Sequence, residues 1–192
     1  MPNLVDTHIK IEGPTSIITS MYQNLKSCSL NAETTGFLTT FLGENKTRKA
    51  MEWDTVSDAL YVEDVTIKTL PDLGWGEHSE TACRWQTVWS PCIKALATLS
   101  TKYNVAIHIS YIDEFATFVG CCTIIDGKNV FDRFYNHENA LEGIYHVYGI
   151  DALQEHLSSN TNTYEDEDIL LECEPFLSES EMSMLKTQLK VV

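Results

Sequence analysis

Four residues in the middle of the chain have the types, and part of the spacing, that metal-assisted hydrolysis uses: His78, Glu80 and the pair Pro91-Cys92. An imidazole and two thiolates can hold zinc, the zinc acidifies a bound water, and a glutamate that is not a ligand carries protons to and from the reacting atoms. That chemistry needs three protein ligands. Position 95, where the second thiolate of a Cys-x-x-Cys pair would stand, is Ala95. Thr81, Cys83, Trp85, Thr87 and Trp89 alternate with Glu80, Arg84 and Gln86 as a half-buried strand does, so His78 is expected in a turn rather than on a helix. No catalytic residue, metal or cofactor is assigned.

The pattern resembles the H-x-E and P-C-x-x-C signature of zinc-dependent nucleobase deaminases, and its gaps leave a degenerate deaminase-like enzyme as the third of three functional readings. Other constellations offer less. Cys121 and Cys122 are adjacent, so on a strand they point to opposite faces and read as core thiols. His137, His146 and His156 lack a cysteine or carboxylate spacing that would complete a site. Gly74 and Gly76 lack the G-x-x-G continuation of a phosphate loop, and acid pairs such as Asp113-Glu114 are common at strand ends.

Charge is more informative. Twenty-eight acids against 13 bases give a net charge of −15, which disfavours a phosphate backbone as partner. Between Phe134 and Leu185 stand 12 acids and no Lys or Arg. Such a tract can serve solubility alone, or it can dock a basic partner by imitating a phosphate array. Tyr164, Ile169, Leu170, Leu171, Phe176 and Leu177 interleave with the acids and favour ordered packing or partner contact. The expected partner-binding residues are Tyr164, Glu165, Asp166, Glu167, Asp168, Glu172, Glu174 and Phe176, with the carboxylates in a basic groove and Tyr164, Phe176 and Leu177 as apolar anchors.

The elements that must position these residues follow from periodicity. Val5, Thr7, Ile9 and Ile11 alternate with polar residues as a first strand ended by Gly13, and residues 14 to 26 carry apolar positions at helical spacing behind Pro14. Residues of about 28 to 58 read as an insertion with a surface loop. A strand over 60–70 leads into a Pro-Asp-Leu-Gly turn and the strand ending at Trp89. Ser90 and Pro91 are placed to open a helix that ends at Asn104. Strands over Val105–Ser110, Phe115–Ile125 and Val130–Phe134 follow, the last two joined by Asp126-Gly127. Helices are expected over 138–148, 152–157 and 179–191, with a polar loop over 158–163.

The order strand, helix, strand, strand, helix, strand predicts an α+β fold. It is the split βαβ sandwich of ferredoxin-like proteins, an antiparallel sheet with helices on one face, decorated by the insertion and a helical acidic C-terminal extension. Residues 1–134 are the expected core and 135–192 the extension, packed on it. The longest apolar stretches are strand-sized, far below the roughly 20 residues a membrane helix requires. The first residues show no basic segment followed by an apolar one, and six cysteines are few for a disulfide framework; reduced thiols and a cytoplasmic location, in a host cell, are expected.

Met1-Pro2-Asn3, the strand ending Ile11-Glu12-Gly13, the pair Trp75-Gly76 and Thr87-Val88-Trp89-Ser90-Pro91 entering a helix resemble the YubB-like ferredoxin-like proteins of phages and plasmids. Where that family has a Trp after Met-Pro-Asn and a second Pro after the later motif, this chain has Leu4 and Cys92, and the family's Trp-Gly-Thr-Lys-Trp element is shortened to Trp75-Gly76-Glu77-His78. The resemblance spans residues 1 to 125 and implies a fold and a mobile-element origin. The expectation it leaves, with the charge, is a non-enzymatic accessory protein that binds and inhibits a host protein with a basic surface, a defence or nucleic-acid-processing factor. The second reading is a small-ligand or nucleic-acid module using the sheet face, for which Tyr111, Phe115 and Phe118 are the aromatics on offer.

Overall fold

In a computed structural model of the chain, residues 3–30, 37–42, 61–72, 74, 76–88, 91–159 and 166–189 are described below. They fall into two compact units, Met1–Arg133 and Phe134–Val192.

The first unit is built on a six-stranded sheet in the order β2-β3-β1-β4-β5-β6. Strand β1 is Leu4–Pro14, β2 Tyr61–Thr69, β3 His78–Val88, β4 Ala106–Asp113, β5 Phe118–Ile125 and β6 Lys128–Asn136. β1 lies between β3 and β4 and is antiparallel to both, and β3 is antiparallel to β2. This is the order of the split βαβ sandwich with two strands added beside β4. The period of two in β1 places Val5, Thr7, Ile9 and Ile11 on one face at 2% exposure or less, and the helices cover that face. Helix α1 (Thr15–Leu30) contributes Ile18, Met21 and Leu25, helix α2 (Phe37–Leu42) contributes Phe37, Leu38 and Phe41, and helix α3 (Ile93–Tyr103) contributes Leu96 and Leu99. They close on Trp85 of β3, whose ring meets Phe37 edge-on at 5.9 Å. An α+β, ferredoxin-like fold is the result.

Several boundaries differ from the periodicity reading, each for a local reason. Gly13 does not end β1: the strand runs on through Pro14, which pairs with His78. A methyl group at Gly13 would lie 2.7 Å from Val105 Cγ1, so it is the close approach of the α3–β4 connection that requires glycine there. Helix α1 continues to Leu30 because Cys28 buries itself in the core. Part of the expected insertion, Phe37–Leu42, is a core helix; residues 31–36 and 43–60 lie outside the described residues. His78 begins β3 instead of occupying a turn. Helix α3 starts at Ile93, since Cys92 adopts a left-handed conformation (φ 61°) and its carbonyl accepts from Ala95 N–H and Leu96 N–H; Pro91 therefore precedes the helix.

The β4–β5 turn is longer than expected. Buried Asp113 accepts hydrogen bonds from Asn3 Nδ2 (2.8 Å), Thr117 Oγ1 (2.7 Å) and Phe118 N–H (2.8 Å), so the chain turns through residues 114–117 before β5 begins. Asp126 and Gly127 both have positive φ, as the tight hairpin before β6 demands.

The second unit is helical. After a short 3-10 turn at His137–Asn139 come α4 (Ala140–Tyr148), α5 (Ile150–Ser159), α6 (Asp166–Cys173) and α7 (Glu179–Leu189). Ala140, Leu141, Gly143, Ile144, Leu153, Leu157, Ile169, Cys173 and Leu185 are its buried residues among those described. The periodicity reading gives no helix over α6; α5 runs on through Ser159 of the expected polar loop, and residues 160–165 lie outside the described residues.

Candidate functional site

Two surfaces gather charged side chains: the acidic helices of the second unit and the sheet face turned away from the helices in the first.

In the second unit, 12 acids face only Lys186 and Lys190, a net of −10, whereas residues 1–133 hold 16 acids and 11 bases, a net of −5. Asp166, Glu167 and Asp168 occupy the first turn of α6, where carboxylates complement the positive end of the helix dipole. Helix stability alone accounts for that placement. Glu172 and Glu174 are different. They stand in the last turn of α6 and just beyond it, with no basic residue in that turn, so their charges oppose the dipole. Each arrangement of this kind costs about 0.3–1 kcal/mol. Asp168, Glu172 and Glu174 are exposed, and among the described residues no basic side chain lies within ion-pair distance of them. Leu171, 68% exposed, stands three residues after Asp168 and three before Glu174, so an apolar side chain lies among carboxylates. Met184 of α7 is 53% exposed.

Leu171 and Met184 are not among the expected partner-binding residues; of those, Tyr164 and Glu165 lie outside the described residues, as do the side chains of Asp166 and Glu167. Phe176 is half-buried, its ring 5.6 Å from Tyr145 and 6.3 Å from His146, and His146 in turn stacks on Tyr135 at 6.1 Å. Phe176 thus packs within its own unit. Ser178 and Glu181 form a capping box on α7, with Ser178 N–H donating to Glu181 Oε2 (2.9 Å), and Tyr145 Oη donates to Glu181 Oε1 (3.0 Å). The hydrogen bonds from the Ser178 hydroxyl and N–H, with that from Tyr145, hold the Glu181 carboxyl below its usual value.

On the sheet, even-numbered residues of β1 and β3 form a lattice of opposite charges. Arg84 Nε donates to both oxygens of Asp6 at 2.9 Å, Nη2 also pairs with Asp6, and Nη1 lies 3.1 Å from Glu63. Glu12 and Glu80 sit directly opposite each other across β1 and β3. Lys10 bridges them at 2.7 and 3.2 Å, and Lys68 reaches Glu80 at 3.0 Å. Burial pushes the Glu80 carboxyl up, but the Lys68 and Lys10 hydrogen bonds outweigh it and hold the group below its ordinary value. His108 donates to or accepts from Thr123 Oγ1 through Nδ1 (3.1 Å), with Nε2 3.7 Å from Glu12; burial lowers its pKa.

The aromatics considered for base stacking are elsewhere. Tyr111 is 3% exposed on the helix-covered side, Phe118 packs edge-on against it at 6.1 Å, and Phe115 projects from the β4–β5 turn.

The residues of the deaminase-like pattern do not assemble as that chemistry requires. His78 is on a strand with Nδ1 3.0 Å from Gly76 O, Glu80 is engaged by two lysines, and buried Ala95 fills the place of the second thiolate. Among the described residues, no three His, Cys, Asp or Glu side chains converge as metal ligands. The six cysteines are free thiols. Burial pushes the Cys83 and Cys122 thiols up to about 12, far from a nucleophile's range. Trp75, Trp89 and Ser90 lie outside the described residues.

A family model described as the ferredoxin-like domain in Api92-like protein matches residues 72–168, 97 of the chain's 192 residues. The chain belongs to this family. The Api92-like match begins ahead of β3, takes in α3 and β4 to β6, and reaches the first turn of acidic helix α6. No curated protein and no solved structure matches the chain. Among the described residues no helix is long and apolar enough to cross a membrane.

Proposed function

We propose that this Api92-like chain is a non-enzymatic binding protein whose acidic helical unit docks on, and inhibits, a host protein with a basic surface. The observation that carries the reading is the end of α6. Glu172 and Glu174 oppose the helix dipole, and Leu171 is exposed between carboxylates. Helix stability does not call for this arrangement, since lysines in the last turn would complement the dipole and stabilise the helix. A partner that supplies cations around an apolar pocket would compensate both features. In this mechanism Leu171 is the desolvated anchor, and Asp168, Glu172 and Glu174 steer approach and fix register, with Asp166 and Glu167 completing the field. The YubB-like resemblance extends the proposal to a phage or plasmid origin, action in the host cytoplasm, and a defence or nucleic-acid-processing factor as target.

The test is capture of the partner from host lysate by the full chain at low and high salt, beside a variant carrying Asp168→Lys, Glu172→Lys and Glu174→Lys. The reading expects one captured protein that is lost at high salt and lost with the variant. Equal capture by the variant contradicts it.

A further inference from the structure

The two edges of the sheet are finished differently. β2 carries a register shift between Glu63 and Thr66, Asp64 within it is left-handed (φ 54°), and Glu63, Asp64 and Lys68 charge the strand. Irregularity and charge of this kind are the usual guards against pairing with a further chain. β6 is the last strand in the order at the other edge, and its residues 128–134 are all exposed. Of the eight large apolar side chains exposed among the described residues, Ile125, Val130, Phe131 and Phe134 fall within ten consecutive positions here. Val130 and Phe131, 59% and 46% exposed, are consecutive on the strand and so belong to opposite faces. Main-chain N–H and C=O groups along an edge are a template for one more strand, and the apolar side chains gain from being covered by it.

We infer that β6 pairs with β6 of a second copy of this chain, joining the two sheets across a twofold axis at Val130. Directly opposed residues of an antiparallel pair share a face, so across such an axis even-numbered residues meet even-numbered ones. The strand reads Lys128-Asn129-Val130-Phe131-Asp132-Arg133-Phe134. With the axis at Val130, Lys128 of each copy stands opposite Asp132 of the other and the two Val130 side chains meet. On the other face the two Phe131 rings lie diagonally across the axis, within aromatic reach. Axes at Asn129 or Phe131 set charged against apolar side chains, and axes at Asp132 or Arg133 set like charges face to face. Charge therefore selects one register, and one patch serves both copies, as an isologous contact requires.

The net charge of −15 does not oppose this contact locally. From 125 to 134, Asp126 and Asp132 balance Lys128 and Arg133, and more distant exposed charges are screened over about 8 Å at physiological salt. One strand pair buries less than the roughly 800 Å² per partner of a standard interface, so the dimer is weak and reversible. Its centre, residues 128–132, lies in the first unit and does not depend on the docking surface of α6.

The experiment is sedimentation equilibrium of the full chain from about 10 μM to 1 mM, a range suited to an interface this small. A reversible monomer–dimer equilibrium is expected. Lys128→Glu and Asp132→Lys each make both cross-axis pairs like-charged, and each should weaken dimerisation at least about tenfold. An equimolar mixture of these two variants should dimerise about as strongly as the parent, because each supplies the charge the other needs; misfolded variants would not recover on mixing. Lys26→Glu, on the exposed side of α1 and with the same change in net charge as Lys128→Glu, should leave the equilibrium unchanged. A monomer at every concentration, undiminished dimerisation by the single variants, no recovery in the mixture, or equal weakening by Lys26→Glu would overturn the inference.

Discussion

Replacing Asp113 should destabilise the sheet unit more than a residue in a surface turn ordinarily does. Its buried carboxylate is the common acceptor for Asn3 Nδ2, Thr117 Oγ1 and Phe118 N–H, at 2.7–2.8 Å. Hydrogen bonds to a charged group contribute about 1.5–3 kcal/mol each when no replacement partner is at hand. Asn3 and Thr117 can turn to water and recover most of that, leaving roughly 0.5 kcal/mol each, whereas the main-chain N–H of half-buried Phe118 cannot move and keeps a loss of about 2 kcal/mol. Asp113→Ala should therefore cost about 3 kcal/mol, and Asp113→Asn, which retains an oxygen for Phe118 N–H, about 1 kcal/mol. The assay is urea unfolding followed by tryptophan fluorescence, which reports this unit alone because Trp53, Trp75, Trp85 and Trp89 all precede residue 134. With a slope of about 2 kcal/mol/M, the midpoint should fall by roughly 1.5 M for the alanine variant. An alanine variant within about 0.5 kcal/mol of the parent would refute the assignment of Asp113 as the staple of the β4–β5 turn.

Gly13→Ala should cost about 1–3 kcal/mol in the same assay, because its methyl would meet Val105 Cγ1 at 2.7 Å; an unchanged midpoint would show that β1 and Val105 separate freely. Glu172→Lys should stabilise the second unit by about 0.5 kcal/mol while weakening partner capture, and calorimetry showing destabilisation would remove the dipole argument. Lowering pH should erode the sheet unit in two windows. The folded pKa of His108 is below its ordinary 6.5, so folding favours the neutral ring, and that stability is present above 6.5 and lost as pH falls through the folded value. The folded pKa of Glu80 is below its ordinary 4.5, so its contribution is present above 4.5 and lost as pH falls through its folded value. Urea midpoints across pH should show the first loss abolished in His108→Asn and the second in Glu80→Gln; parallel profiles for parent and variants would contradict the assignment.

The strands of the sheet were legible because one face of each is buried, which imprints a period of two on residues such as Val5, Thr7, Ile9 and Ile11. Their ends were less so. Gly13 looks like punctuation in one dimension, but its absent side chain answers to Val105, far away in sequence. Pro91 and Ser90 look like a helix start, but the left-handed turn at Cys92 delays it. Phe37, Leu38 and Phe41 sit in a weakly patterned stretch, and only the proximity of Trp85 shows that they are core. Helix α6 leaves little trace in the sequence because its acids mask a short amphipathic pattern in which Ile169 and Cys173 are buried and Leu171 is not. The acidic field itself was countable from the sequence. That Phe176 packs on Tyr145, and that Leu171 stands exposed instead, depends on how four helices meet. The charge lattice of the sheet face had no sequence signal, since Glu12 and Glu80 become neighbours only through strand register.

The docking of the α6 carboxylates on a cationic partner is tested most directly by a rescue of charge. Once the captured protein is in hand, its affinity for the parent and for the Asp168→Lys, Glu172→Lys, Glu174→Lys variant is measured beside a partner variant whose contacting Lys and Arg residues are changed to Glu. The account predicts that each single-sided reversal abolishes binding and that the two reversed partners bind each other again. Unchanged affinity on reversing α6, or no recovery when both sides are reversed, would contradict it.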